Sequence, residues 1–261
     1  MSKRMRKVLC GGLLFLAACG SASDKAPAAQ GTGKAPHVAA SASPAPATSG
    51  AQQARHLLDS LVTPRQAGRF APRDDCGKVP GAAAFRQRLA EAVAHRDAVA
   101  IAALADPAIR LSFGDDNGRD RFLQKLQAPD GNAPEDNAMR ELAALLPLGC
   151  AIDEAGGLTM PWFFAQDMGE IDAYDAMLVQ GVGVPLRAGP EPGAPVSRRL
   201  SWDVVSLVAG LYPDQPAQRV RTADGVVGYL PTQSLRSLLD YRLLATRVGG
   251  EWRITAFVAG D

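Results

Sequence analysis

The residues most often used for chemistry are scarce in this chain. It has three histidines and four cysteines among 261 residues, and aromatics make up only 6%. His37, His56 and His95 are far apart and share no ligand spacing with the cysteines, so no metal site is expected. The patterns G-x-S-x-G, H-E-x-x-H and G-x-x-x-x-G-K-S/T are all absent, which removes the usual signatures of serine hydrolases, zinc proteases and phosphate-binding loops. An excess of one charge is missing too: 28 basic residues balance 27 acidic ones. Nucleic acid normally requires a clustered basic face, and arginines spread this thinly predict neither that face nor a stripe for another polyanion.

What is present is unevenly placed. Lys3, Arg4, Arg6 and Lys7 precede the apolar run from Val8 to Ala18, which is too short to stay in a bilayer as a span. This is the layout of a secretory leader. The following Leu16-Ala17-Ala18-Cys19 resembles the lipobox of bacterial lipoproteins. That resemblance implies cleavage after residue 18, lipidation of Cys19 and anchorage by two or three acyl chains. Gly20 behind the cysteine implies the outer membrane, with the protein facing the periplasm. From Gly20 to Gly50, 23 of 31 residues are Ala, Ser, Pro or Gly. Such a segment has too little apolar surface to order itself, so residues 19–50 read as a tether. Cys10 leaves with the leader and Cys19 is lipidated. Cys76 and Cys150 then remain as a pair in an oxidising compartment and are expected to form a disulfide. Its closure contributes roughly 4–5 kcal/mol in the chain-entropy picture.

Residues 51–176 read as a helical or α+β domain. Leu57, Leu58, Leu61 and Val62 share one helical face, as do Phe85, Leu89, Ala92 and Val93. Asp97 is placed to cap a second helix that Asp106-Pro107 stops. Ile109–Phe113 alternates like a half-buried strand, and helices are expected over Arg119–Gln127 and Glu135–Leu146. From Met177 the rhythm becomes short strands between Gly, Pro and Asp-Gly turns, the pattern of a small all-β barrel over 177–235. Residues 236–261 form a hairpin around Gly249-Gly250. Two strands alone are marginal, so the hairpin either extends the barrel or returns to pair with Ile109–Phe113.

The barrel segment resembles a bacterial Src-homology-3 (SH3-type) domain. The resemblance rests on Val184-x-Leu186-Arg187-x-Gly189-Pro190, on Ala194-Pro195-Val196, and on Val220-Arg221-Thr222-x-Asp224-Gly225-x-x-Gly228-Tyr229-Leu230. It implies that Val184 and Leu186 face a core, that Asp224-Gly225 turns a hairpin and that Gly228 makes room for Tyr229. Ala217 stands where the family usually has an aromatic residue, and Trp202-Asp203 where it has a basic residue and glycine, so no binding residues are carried over. The stretch from Phe85 to Gly114, with Glu251–Gly260, resembles the cone-shaped α+β fold of nuclear transport factor two. On that view the barrel is inserted into a split domain. The fold class expected is α+β: a mainly helical region, an SH3-type barrel and a C-terminal hairpin.

Few residues suggest catalysis, and no catalytic residue or cofactor is assigned. His95 falls on the polar side of its helix. Asp115, Asp116 and Asp120 lack the glutamate that completes a calcium loop and read as a turn with a helix cap. Glu170, Asp172 and Asp175 read as a solvated connector, and Trp162, Phe163 and Phe164 as core. The expected role is a non-enzymatic envelope lipoprotein. Its partners are the membrane, through lipid, and peptidoglycan or an envelope protein. A small-molecule pocket or enzyme in the N-terminal half, and a structural subunit of an envelope assembly, are the alternatives.

Overall fold

The structure, a computed structural model, describes residues 67–129, 137–169 and 171–260. The leader, Cys19, the tether and the Leu57–Val62 helix lie outside the described residues. The chain is α+β. Helix α1 (Ala82–Ala94) buries Phe85, Leu89, Ala92 and Val93 on one stripe, as their spacing requires. Asp97 caps α2 (Ala98–Ala103) by accepting the Ala100 amide at 2.9 Å.

Strand β1 runs Ala105–Arg110, earlier than the alternation of Ile109–Phe113 indicates. Asp106 and Pro107 do not merely stop a helix but enter the strand, which tolerates proline because it lies at a sheet edge. The strand ends before Phe113 because Asn117 Oδ1 accepts the amides of Leu111 and Ser112, at 2.7 and 3.1 Å. Helix α3 (Arg119–Leu126) buries Phe122 and Leu126. Helix α4 (Ala138–Leu145) starts later than expected, where the Asn137 side chain accepts the Arg140 amide. Strands β2 (Ala151–Ile152) and β3 (Leu158–Met160) follow. Next come β4 (Ala176–Val179), β5 (Val184–Arg187), β6 (Val196–Leu200), β7 (Val204–Leu207), β8 (Ala217–Thr222), β9 (Val227–Pro231) and β10 (Leu235–Ser237). The chain ends with β11 (Arg242–Val248) and β12 (Glu251–Val258).

The hairpin β11–β12 returns to the first region. The five-stranded sheet has the order β1-β12-β11-β3-β2, with β1 parallel to β12 and the other pairs antiparallel. Its core joins helices to sheet through Phe85, Leu89, Ile101, Phe122, Leu142, Leu158, Leu243 and Ile254, all fully buried. Each such side chain is worth roughly 1.5–3 kcal/mol of burial. Tyr241 stacks on Phe257 at 4.7 Å and Phe122 tilts against Phe257 at 5.7 Å, filling the space further.

Cys76 and Cys150 form a disulfide, 74 positions apart in sequence and with Cα atoms 5.7 Å apart. It ties residues 67–76 to the start of β2. That strap is also held by backbone bonds of 2.9 Å from Asp75 to Cys150, from Cys150 to Arg73 and from Phe70 to Trp202. Gly68 has φ +127°, and a Cβ there would overlap the Ser201 carbonyl oxygen, so only glycine lets the strap lie this close. Trp162 and Phe163 belong to a second core with Phe70, Leu148, Leu178, Trp202 and Val204, which joins the strap and the two sheets.

The second sheet has the order β10-β4-β7-β8-β9-β5-β6. Strands 177–235 pair as the short-strand rhythm requires, but no ladder among the described residues joins the end strands β6 and β10, so the sheet does not close into a barrel among them. The cause lies in how its first four strands are made. Strands β4 and β5 form one arm of a long ribbon and β6 and β7 the other, bent together at 180–183 and 201–203. Val179 donates to Asp203 at 2.8 Å, Trp202 to Gly181 at 3.1 Å and Gly183 to the Ser201 hydroxyl at 2.8 Å, keeping the arms paired through the bend. Trp202 takes φ +47° there while its indole is buried. A third core of Val179, Val184, Leu186, Leu200, Val205, Val220 and Leu230 covers the inner face of this sheet.

Candidate functional site

Alternation along the strands decides what the second sheet presents. Leu186, Val220 and Leu230 point into the core, so their neighbours point out. Registry then aligns the outward residues across strands: Arg199 with Pro185, Arg187 with Tyr229, Tyr229 with Arg219, and Val227 with Arg221. Gly228 makes this possible. A Cβ there would lie 2.8 Å from the Arg187 carbonyl oxygen and from Leu186 Cδ1. Its absence lets β9 close onto β5 with Tyr229 outside.

Beside this row lies a groove of about 310 Å³. Its walls are rigid: Pro185, Pro190, Pro216 and Pro231 line it with Arg187 and Tyr229. The Arg187 guanidinium is held at the groove by donating to the Ala194 carbonyl at 2.7 Å. Gln218, only 2% exposed, holds the opposite wall. Its amide oxygen accepts the Tyr212 amide at 3.1 Å, and its nitrogen donates to the Tyr212 carbonyl at 2.6 Å and the Thr232 hydroxyl at 2.8 Å. The Thr232 hydroxyl in turn donates to Gln215. Loop 211–216 and the segment after β9 are thereby locked together, with Leu211 and Tyr212 exposed.

At the far end of the β8–β9 hairpin, Arg198 makes a bidentate pair with Asp224 at 2.9 and 2.8 Å. The Arg198 guanidinium, followed by the Thr222 hydroxyl, lowers the Asp224 carboxyl to about 2. Gly225 completes the turn at φ +87°.

The residues singled out by sequence therefore separate. Arg187, Gly189, Pro190 and Tyr229 meet at the groove, Val184 and Leu186 lie in the core behind it, and Asp224 and Gly225 stand at the hairpin tip. Gln218 and Arg219 lie outside the motif that carries the SH3-type resemblance and Arg221 within it, although the alternation of Gln218-Arg219-Val220-Arg221 carries the signal for all three. Registry brings together arginines that the sequence spreads thinly: Arg187, Arg199, Arg219 and Arg221 share one face.

The remaining candidates do not join this site. His95 is exposed, with Nδ1 2.8 Å from the Glu91 carbonyl oxygen. Asp116 is occupied by Arg121 at 2.7 Å and Lys125 at 3.5 Å, and the Arg121 hydrogen bond holds its carboxyl below the usual range. Asp115 and Asp120 are exposed beside it. Asp172 accepts the Tyr174 amide and Asp175 is exposed, while Glu170 lies outside the described residues. Phe164 is half-buried and stacks under Arg242 at 4.4 Å. Comparison with known protein families, with curated proteins and with solved structures finds no match to this chain.

Proposed function

We propose that this chain is a membrane-anchored envelope lipoprotein whose second sheet is an SH3-type binding module for peptidoglycan or an envelope protein. The single observation that carries this reading is the meeting of Arg187, Gly189, Pro190 and Tyr229, all quoted for the SH3-type resemblance, at one proline-walled groove. A groove of this size lies at the small end of the range for ligand sites and suits a few residues of an extended ligand. Rigid walls lose little entropy when such a ligand settles.

In this reading Cys19 anchors the protein in the outer membrane, and the 19–50 segment lets the module stand off into the periplasm. The first region is then a domain of the nuclear-transport-factor-two type, split by the inserted module. Its interior is filled by Phe85, Phe122, Leu142, Tyr241 and Phe257, which favours a binding or scaffolding role over a pocket enzyme. The test is sedimentation of the full chain with purified sacculi and, separately, capture of defined envelope proteins. Tyr229→Ala is expected to abolish whichever binding is found. Wild-type protein that engages neither ligand would refute the reading.

A further inference from the structure

The outward face of β6-β5-β9-β8 has a composition unlike the chain as a whole. Its four strands contain five arginines, of which all but Arg198 point outward, and no aspartate or glutamate, in a protein whose net charge is +1. Arg198 is paired with Asp224, and Arg199 donates to the Gly183 carbonyl at 2.9 Å. Arg187 is held toward the groove by Ala194. Arg219 and Arg221 have no hydrogen-bond or ion-pair partner for their side chains among the described residues, and both are exposed. Tyr229 sits in the row between Arg187 and Arg219. One carboxylate stands by the groove, that of Glu191 beside Gly189 in the loop after β5.

Unpaired like charges aligned on one face repel one another and contribute nothing to folding, so an anionic partner is the physical complement. Its shape follows from spacing. Four adjacent strands span about 14 Å from β6 to β8, and an extended chain covers that distance in roughly four or five residues. Building on the binding-module reading, we infer that this face docks an acidic, extended segment of a partner protein. Carboxylates about four residues apart meet Arg187 or Arg199 at one end and Arg219 with Arg221 at the other, while the backbone between them lies over Tyr229.

The test uses the full chain in detergent and a fluorescein-labelled decapeptide of alternating Glu and Ala, with the Gln–Ala decapeptide as its neutral control. Anisotropy is expected to give saturable binding of the Glu peptide, weakened several-fold between about 20 and 200 mM salt. The Arg219→Gln/Arg221→Gln variant should bind roughly five-fold more weakly, since each exposed pair is worth a fraction of a kcal/mol to about one. Arg219→Glu/Arg221→Glu should lose the Glu peptide and gain a Lys–Ala decapeptide, a reversal that a misfolded variant cannot produce. Equal binding of the Gln peptide, or an unchanged affinity in Arg219→Gln/Arg221→Gln, overturns the inference. Binding to sacculi that both double variants retain, with no binding of the Glu peptide, also overturns it while leaving the module reading intact.

Discussion

The two sheets of this protein solve opposite problems. The first is sealed: helices cover one face, a buried disulfide fastens the strap beside it, and its interior holds aromatic side chains stacked on one another. The second covers its inner face with aliphatic residues and leaves the outer one to arginines, prolines and a tyrosine. Their polar chemistry differs in the same way. In the first region Arg86 is 1% exposed and reaches from the interior to the exposed Asp74 at 2.5 Å, whereas Arg219 and Arg221 face water. A buried guanidinium stays only where its partners offset the cost of desolvating it. An exposed arginine row has no such constraint and stays available. The polar side chains of one region turn inward and those of the other turn to water.

That contrast breaks most severely at the disulfide. Cys76→Ala/Cys150→Ala is expected to lose roughly 4–5 kcal/mol by the loop-closure argument, read as a lower denaturation midpoint in urea. The loss should match that of wild type under reducing conditions. A change below about 1 kcal/mol would mean that strap hydrogen bonds alone hold the first region together.

Leu186→Ala comes next. Leu186 is fully buried in the third core, and its truncation should cost about 3 kcal/mol, with Ile254→Ala the matching change in the first core. Because the strap and second core join the sheets, each variant should unfold in a single transition by Trp fluorescence and by circular dichroism. Two separated transitions would show the regions to be independent.

Smaller again is Gln218→Leu, which keeps the volume but deprives the Tyr212 backbone and the Thr232 hydroxyl of their partner. A stability loss of about 1–3 kcal/mol is expected. A larger fall in groove affinity than in stability would mark Gln218 as a positioning residue, while parallel losses would make it structural only.

How much of this was legible depends on range. Periodicity and capping are local, so the buried stripe of α1, the Asp97 cap and the six short strands from Ala176 to Pro231 could be read directly. The disulfide followed from cysteine arithmetic. The end of β1 could not, because the competing acceptor, Asn117, acts through a loop. Nor could the open second sheet, because a ribbon bent at 180–183 and 201–203 carries the same alternation as a closed barrel. The arginine face was missed for a similar reason. Arg187, Arg199, Arg219 and Arg221 are scattered in sequence and meet only through registry, which composition does not encode.

The smallest effect tests the hairpin tip at the end of the arginine face. Asp224 is depressed to about 2, first by Arg198 and then by Thr222. A carboxyl whose folded value lies below its unfolded value of roughly 4 stabilises the fold above that value, and the contribution is lost as pH falls toward 2. Asp224→Asn should therefore narrow the difference in stability between pH 5 and pH 2, by little because the group is exposed. Carboxyl-carbon NMR is the sharper measurement. Asp224 should titrate near 2 in wild type and move toward the ordinary aspartate range in Arg198→Gln, while the Arg219→Gln/Arg221→Gln change should leave it almost unmoved. A shift of similar size in both variants would mean that Arg198 and Asp224 are not a closed pair but part of the open arginine field.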